Sequence, residues 1–431
     1  MSQVDETPTA GPPPPSSGGA LPEIVIYTFF PYRLLVPSTS FGLARALAGH
    51  TRVWYISRPY TYKDAVYDPR GVRAWTGARV TTVEGFAGRL MEVDLPPTAP
   101  INSLPEGPLY DRLAAITDAR QSRALRKVLR AHGVGDYLWV NLYAPTQMLR
   151  VDLHRPPLGR IYYSVDAIAE ARWTGRHGKP SEARQMAVAD IGLGTSSQLA
   201  EDLRNLPRIV RSDVADHTTQ RPPVHVLPNA AAAESFLDVT ELDVPADLAA
   251  LPPGPRIGYI GNLDAGRVDF ALIERVALAR PDAQVVLIGP WNGPAEWRER
   301  LDAHANIHFF GPRPQPECPP YLANFDCGLI PFRLTRLTYA IYPLKINEYL
   351  AIGVSVLATD FSPDIKSFAD VAYVEPAERW TEVLDEAIAD NSPAAVERRR
   401  ARARLGTWTE RAERFLELTA PLYATNPAVE A

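Results

Sequence analysis

Residues 342–360, YPLKINEYLAIGVSVLATD, put a lysine and a glutamate three positions apart at the start of a short helical pattern, which stops at Gly353 before an apolar run. A helix N-terminus is electropositive, so Lys345 in the first turn is disfavoured unless something negative shares the place. Glu348 is one candidate and a bound anion is the other. As a solvated surface pair at i,i+3 the two side chains would stabilise the helix by only a few tenths of a kcal/mol. The preceding run DCGLIPF (326–332) reads as a strand, and Pro343 suits the first helical position because its missing N–H would be unpaired there anyway. The helix then starts at a strand's carboxyl edge, where free backbone N–H groups and the dipole favour phosphate. Lys345 adds a full charge, and an ionised Glu348 on the same face can accept both hydroxyls of a ribose diol. A nucleoside diphosphate satisfies both groups at once. Only five of the 45 basic residues are lysine (Lys63, Lys127, Lys179, Lys345 and Lys366). A compact ammonium suits a diphosphate, whereas the guanidinium fork suits a planar carboxylate.

Other stretches carry weaker signals. In YIGNLDAGRVD (259–269), Gly261 and Gly266 allow a tight strand-to-helix turn and Arg267 can reach an anion, but the spacing is not that of a GxGxxG fingerprint. The plainer reading is an ordinary βα loop with a surface arginine. Asp166 closes the strand candidate RIYYSV (160–165), where a general base for an acceptor hydroxyl could stand, with Glu170 second; an Asp in that position is also a common N-cap. His304 and His308 share an i,i+4 spacing but cross from helix into strand without a third ligand, so both read as structural. Residues 119–132, ARQSRALRKVLRAH, bring Arg120, Arg123, Lys127 and Arg130 near one helix face, which is either a solvated charge run or a peripheral membrane contact.

These groups need elements to hold them. After the first twenty residues, rich in Pro, Gly and Ser and expected to be a disordered tail, the chain alternates apolar runs with helical patterns, the signature of βαβ units. A first series comprises EIVIYT (23–28), RVWYIS (52–57), YLWVNL (137–142), RIYYSV, VADIGLGTS (188–196) and VHVLP (224–228). Four prolines mark 240–255 as a linker, and a second series follows: RIGYIG (256–261), QVVLIG (284–289), NIHFFG (306–311), DCGLIPF, VSVLAT (354–359) and VAYVE (372–376). The expectation is an α/β protein with two doubly wound parallel-sheet domains, 21–239 and 256–406, facing each other across a cleft. Residues 407–431 would supply a helix packing back on the first domain, then a tail. At 431 residues and 46% hydrophobic the chain can fill two cores, and a net charge of −5 argues against nucleic acid as partner. Two cysteines, Cys318 and Cys327, are too few for a disulfide framework or a zinc site and read as reduced thiols of a cytoplasmic protein. No run of about 18 apolar residues is available to span a bilayer.

The 342–360 stretch, with YIGNLDAGRVD, VVLIGP (285–290), NIHFFGPRP (306–314) and YLANFDCGLIPF (321–332), closely resembles the second domain of GT-B glycosyltransferases of the family 4-like kind. The likeness covers most of residues 255–375 in order; in the first domain it rests on RIYYSVDAIAE (160–170), GLGTSSQLAEDL (192–203) and VHVLPNA (224–230). It implies a metal-independent, cofactor-free transfer of sugar from a nucleotide-sugar donor, a UDP-sugar foremost, to a hydroxyl acceptor on a glycan, a lipid-linked glycan or a small molecule. It further implies that Glu348 holds the ribose, that Lys345 and Arg267 meet the diphosphate, and that backbone around Gly311 to Arg313 contacts the base. Many members carry a second glutamate eight residues earlier, touching the donor sugar; here that position is Ala340, so either other groups such as Thr338, Tyr339 or Tyr342 hold the sugar or this subgroup contacts it differently. A GT-B nucleotide-sugar epimerase and a non-catalytic nucleotide-sugar binder are the alternatives.

Overall fold

The computed structural model describes residues 21–32, 38–67, 74–168, 177–207, 221–230, 234–237 and 242–424. The N-terminal twenty residues, Glu170 and the start of the expected linker lie outside them. The chain divides into two compact units: one runs to Thr195 and takes in Leu199–Leu227 and the segment from Arg411 onward, the other comprises Ser196–Gln198 and Pro228–Glu410.

The first unit is built on β1 (Glu23–Thr28), β2 (Val53–Ser57), β3 (Arg79–Thr82), β4 (Leu90–Asp94), β5 (Tyr137–Leu142), β6 (Gly159–Ser164), β7 (Ile191–Gly194) and β8 (Val224–Val226), in the order β3-β4-β2-β1-β5-β6-β7-β8. Every pairing is parallel except β3 with β4. The central strands β1, β2 and β5 are almost unbroken apolar or aromatic runs because helices cover both sheet faces. The sequence reading passed over β3 and β4. The former is a four-residue, mostly exposed edge strand whose polar side chains blunt the edge and erase the hydrophobic signal. The basic segment 119–132 proves to be the second half of a longer helix, Pro108–Ala131, which buries Leu125, Val128 and Leu129 against Trp54 and Trp139. Residues 408–423 form the helix Trp408–Thr419 and the 3-10 turn Ala420–Leu422; Gly159 at the start of β6 leaves room that only a missing Cβ provides for the Leu422 side chain.

The second unit contains β9 (Arg256–Ile260), β10 (Leu263–Asp264), β11 (Gln284–Ile288), β12 (Trp291–Asn292), β13 (Ile307–Gly311), β14 (Cys327–Ile330), β15 (Ser355–Thr359) and β16 (Tyr373–Glu375). Its main sheet is all parallel, in the order β13-β11-β9-β14-β15-β16. Numbering those six strands along the chain gives 3-2-1-4-5-6, the Rossmann order, whose direction reverses between β9 and β14. The expected linker corrects to an earlier division. Phe236, in the short helix Glu234–Leu237, and Leu248, in the helix Ala246–Ala249, are both buried in this unit's core. Proline density marked 240–255 as irregular, but Leu248, with the partly buried Leu251 packed on the same core, ties the stretch to the second sheet. Among the described residues no helix is long and apolar enough to cross a membrane.

Candidate functional site

In an open parallel sheet the crevice outside the carboxyl ends of the strands, where strand order reverses, is the place for a ligand. In the second unit the chain leaves β9 there through Gly261 and leaves β14 there toward the helix Leu344–Ile352. Pro343 stands at the N-cap rather than at the first helical position expected from the sequence; no side chain caps the helix, and of its first-turn N–H groups that of Ile346 turns back to the Pro343 carbonyl at 3.2 Å. The helix ends as the sequence indicates, with Gly353 in the left-handed region at φ 93°. Tyr349 fixes its rotation. The phenol ring lies against Gly328 in β14, where a Cβ would overlap it, and the hydroxyl accepts from the Ile260 N–H at 2.9 Å.

That rotation brings Lys345 over the end of β9. Its Cε and Nζ occupy the space a Cβ on Gly261 would fill, and Gly261 takes φ 150°, a value L side chains rarely adopt. The ammonium lies 5.6 Å from the Tyr259 ring centroid. Among the described residues no carboxylate comes within 4.0 Å of it; Glu348, half-buried like Lys345, is near enough to influence it but makes no ion pair with it. The surface-pair reading of the two residues is therefore not what the geometry contains. Burial pushes the lysine below its ordinary value, Glu348 pulls it back up, and Arg267 pushes it further down. Burial also raises the Glu348 carboxyl, against the pull of Lys345. Arg267 reaches only a 3.9 Å contact with Asp264, and its Nε is buried without a hydrogen-bond partner. Two cations short of acceptors, a carboxylate without a partner and an uncapped helix start thus converge on the switch point.

Sequence reasoning missed three contributors. Tyr349 and Tyr259 carry no functional signal in the sequence, and only the fold shows one holding the helix and the other lying near the ammonium. Cys318 lies close enough to feel both Glu348 and Lys345, and burial pushes its thiol up to about 11. Both cysteines are free and buried.

Among the described residues, no other expected site residue hydrogen-bonds to the Lys345, Glu348 or Arg267 side chains. Gly311 ends β13 at φ 70°, where the register with β11 shifts, and its carbonyl accepts from the Gly289 N–H at 2.9 Å. Arg313 is held by Asp247 at 2.9 Å and by the Tyr321 hydroxyl at 3.2 Å. Thr338 is fully buried and its hydroxyl closes the capping box with Thr335 that starts the helix Arg336–Tyr339. Tyr342 accepts from Asn347 at 3.3 Å, Tyr339 is exposed, and Ala340 is buried. His304 meets Glu274 at 3.1 Å and His308 meets Gln284 at 2.8 Å, so each ring has its own partner. In the first unit Asp166 follows β6, one strand away from the β1/β5 reversal, and accepts from the Ala167 N–H at 2.9 Å without capping a described helix.

Residues 254–390 match the family model Glycosyl transferases group 1. The match lies within the second unit. The match encloses the residues whose order carried the sequence resemblance. A putative teichuronic acid biosynthesis glycosyltransferase, TuaH, of Bacillus subtilis (strain 168) is 26% identical over 204 residues, 47% of this chain, which spans about half (50%) of that relative's length. Among solved structures, a sucrose-phosphate synthase from Thermosynechococcus elongatus superposes with a TM-score of 0.61 at 16% identity over 94% of this chain and 100% of its own. An alpha,alpha-trehalose-phosphate synthase (UDP-forming) from Burkholderia vietnamiensis gives 0.63 at 12% over 92% and 96%. At such identities the likeness speaks for the fold, which is GT-B: α/β, with two parallel-sheet units.

Proposed function

We propose that this protein is a cytoplasmic glycosyltransferase that moves a sugar from a nucleoside-diphosphate sugar, a UDP-sugar foremost, to a hydroxyl acceptor. The observation that carries the reading is the unpaired Lys345 ammonium, packed on the Gly261 backbone beside Arg267 at the switch point of the unit that matches the group 1 model. Glu348, three positions after Lys345 on the same helix, takes the ribose hydroxyls. As the glycosidic bond to the diphosphate breaks, negative charge grows on the leaving oxygens. Lys345, Arg267 and the helix start stabilise that charge more than the ground state's, which is where such contacts gain rate. No metal is needed if these cations neutralise the leaving group. Asp166 is the proposed base on the acceptor side.

Thermal shifts of wild type and Glu348→Ala against UDP, GDP, dTDP and ADP test the seat, because a ligand that binds only the folded state raises the melting temperature. A shift with one diphosphate, lost in the variant, is the expected result and names the donor's base. No shift with any of them overturns the reading. Conversion of a donor sugar without an acceptor would favour an epimerase, and binding with neither transfer nor hydrolysis a non-catalytic protein.

A further inference from the structure

The helix Pro108–Ala131 has an outer face that the donor site does not use. Leu109, Arg112, Ile116, Arg120, Arg123, Lys127 and Arg130 are all exposed or at the exposed side, and at 100° per residue they fall within a stripe roughly 80° wide. The stripe holds five basic side chains, two aliphatic ones and no acid. Among the described residues, Arg112, Arg123, Lys127 and Arg130 have no carboxylate within 4.0 Å. Leu109 is 63% exposed and Ile116 57%, and the two lie in the same stripe as the basic row.

Aromatic groups extend the stripe sideways. Arg120 donates to the Tyr62 hydroxyl and lies 5.8 Å from the centroid of its ring. The Tyr62 ring in turn meets Trp75, centroid to centroid 5.9 Å. Tyr62 is 37% exposed, Trp75 43%, and Val66, one turn further along the helix Tyr62–Tyr67, 72%. A tryptophan and a tyrosine with exposed faces, aliphatic side chains and a row of unpaired cations are the residue types of a membrane interface, where rings sit at headgroup depth and cations meet lipid phosphates.

We propose that this face of the first unit docks on an anionic lipid surface, with Trp75, Tyr62, Val66, Leu109 and Ile116 entering the headgroup layer while the basic row pairs with lipid phosphates. Charge complementarity selects this occupant over a second copy of the chain, since two such stripes would place like charges against each other. The inference does not depend on the transfer reading, because binding to lipid is measured without donor or acceptor.

The test is co-sedimentation of the full chain with vesicles of phosphatidylcholine alone and with 30% phosphatidylglycerol, the vesicles being the probe. Binding to the anionic vesicles only, weakened at high salt, is expected. Each basic residue near the surface contributes about fivefold, so Arg123→Ser with Lys127→Ser and Arg130→Ser should weaken partitioning about a hundredfold. Trp75→Ser should weaken it as well, while all variants keep the wild-type melting temperature. Equal binding to both vesicle types, absence of binding, or a concentration-dependent dimer that Ile116→Ser abolishes would each overturn the proposal, the last in favour of a self-interface.

Discussion

Replacing Lys345 by methionine separates a ligand-holding cation from a structural one, because the two roles predict opposite changes in the unliganded protein. The ammonium is half-buried, lacks a carboxylate partner, and has its pKa lowered mainly by burial, with Glu348 opposing and Arg267 assisting. A lysine whose folded pKa lies below its unfolded value destabilises the folded state while protonated. That penalty is full below the folded pKa and is relieved as pH rises from there toward the ordinary 10.5. Methionine removes the penalty and keeps the stem's packing on Gly261. It forfeits the contact with Tyr259, which contributes about 0.5–1 kcal/mol at such a site. The terms offset, so the unliganded variant should lie within about 1 kcal/mol of wild type.

With donor present the balance reverses. A unit charge about 4 Å from a diphosphate oxygen, at an effective dielectric near 20, interacts by about 4 kcal/mol, and part of that already went into desolvating the ammonium. A loss of about 2–4 kcal/mol in transition-state stabilisation follows, or about 30- to 1000-fold in kcat/KM, together with loss of the UDP-induced thermal shift. The assays are urea denaturation without ligand, thermal shift with UDP, and donor turnover once an acceptor is found. A fall of more than about 2 kcal/mol in unliganded stability with the UDP shift intact would refute the reasoning and make Lys345 a structural residue.

Gly261→Ala should abolish the UDP shift while the second unit still folds, because the added Cβ evicts the Lys345 ammonium and strains a backbone at φ 150°; a retained shift would show the ammonium placed elsewhere. Tyr349→Phe leaves the half-buried Ile260 N–H without its 2.9 Å partner and should cost about 0.5–1.5 kcal/mol, seen as a lower urea midpoint, with a weaker UDP shift as the helix start loosens. In the first unit, Glu182 is buried, accepts from Tyr162 and Ser164 at 2.9 Å each, and has its carboxyl pushed up by burial to about 7. Its folded pKa exceeds the unfolded value, so wild-type stability should fall as pH rises from about 4.5 to 7, and Glu182→Gln should remove that slope and gain up to about 3 kcal/mol at pH 8. Parallel pH curves of variant and wild type would contradict the raised carboxyl.

Why the second unit was more legible than the first is a matter of which physical signals survive in a linear string. Buried parallel strands such as QVVLI and SVLAT announce themselves as unbroken apolar runs, and Gly353 announces the end of the Leu344–Ile352 helix because only the left-handed conformation fits there. Lys345 was legible for the same reason: a cation in a first turn contradicts the dipole and calls for an explanation. The Tyr349 hydroxyl could not be read, since its partner Ile260 lies 89 positions away and the bond exists only once β9 and β14 are neighbours. The same holds for the absence of an ion pair between Lys345 and Glu348. Spacing puts both residues on one face, but whether their charged ends meet depends on Gly261, which draws the ammonium away across the switch point. Sequence therefore named the charged groups, and the strand order decided that they stand unpaired, which is the property that makes them a candidate seat for a diphosphate.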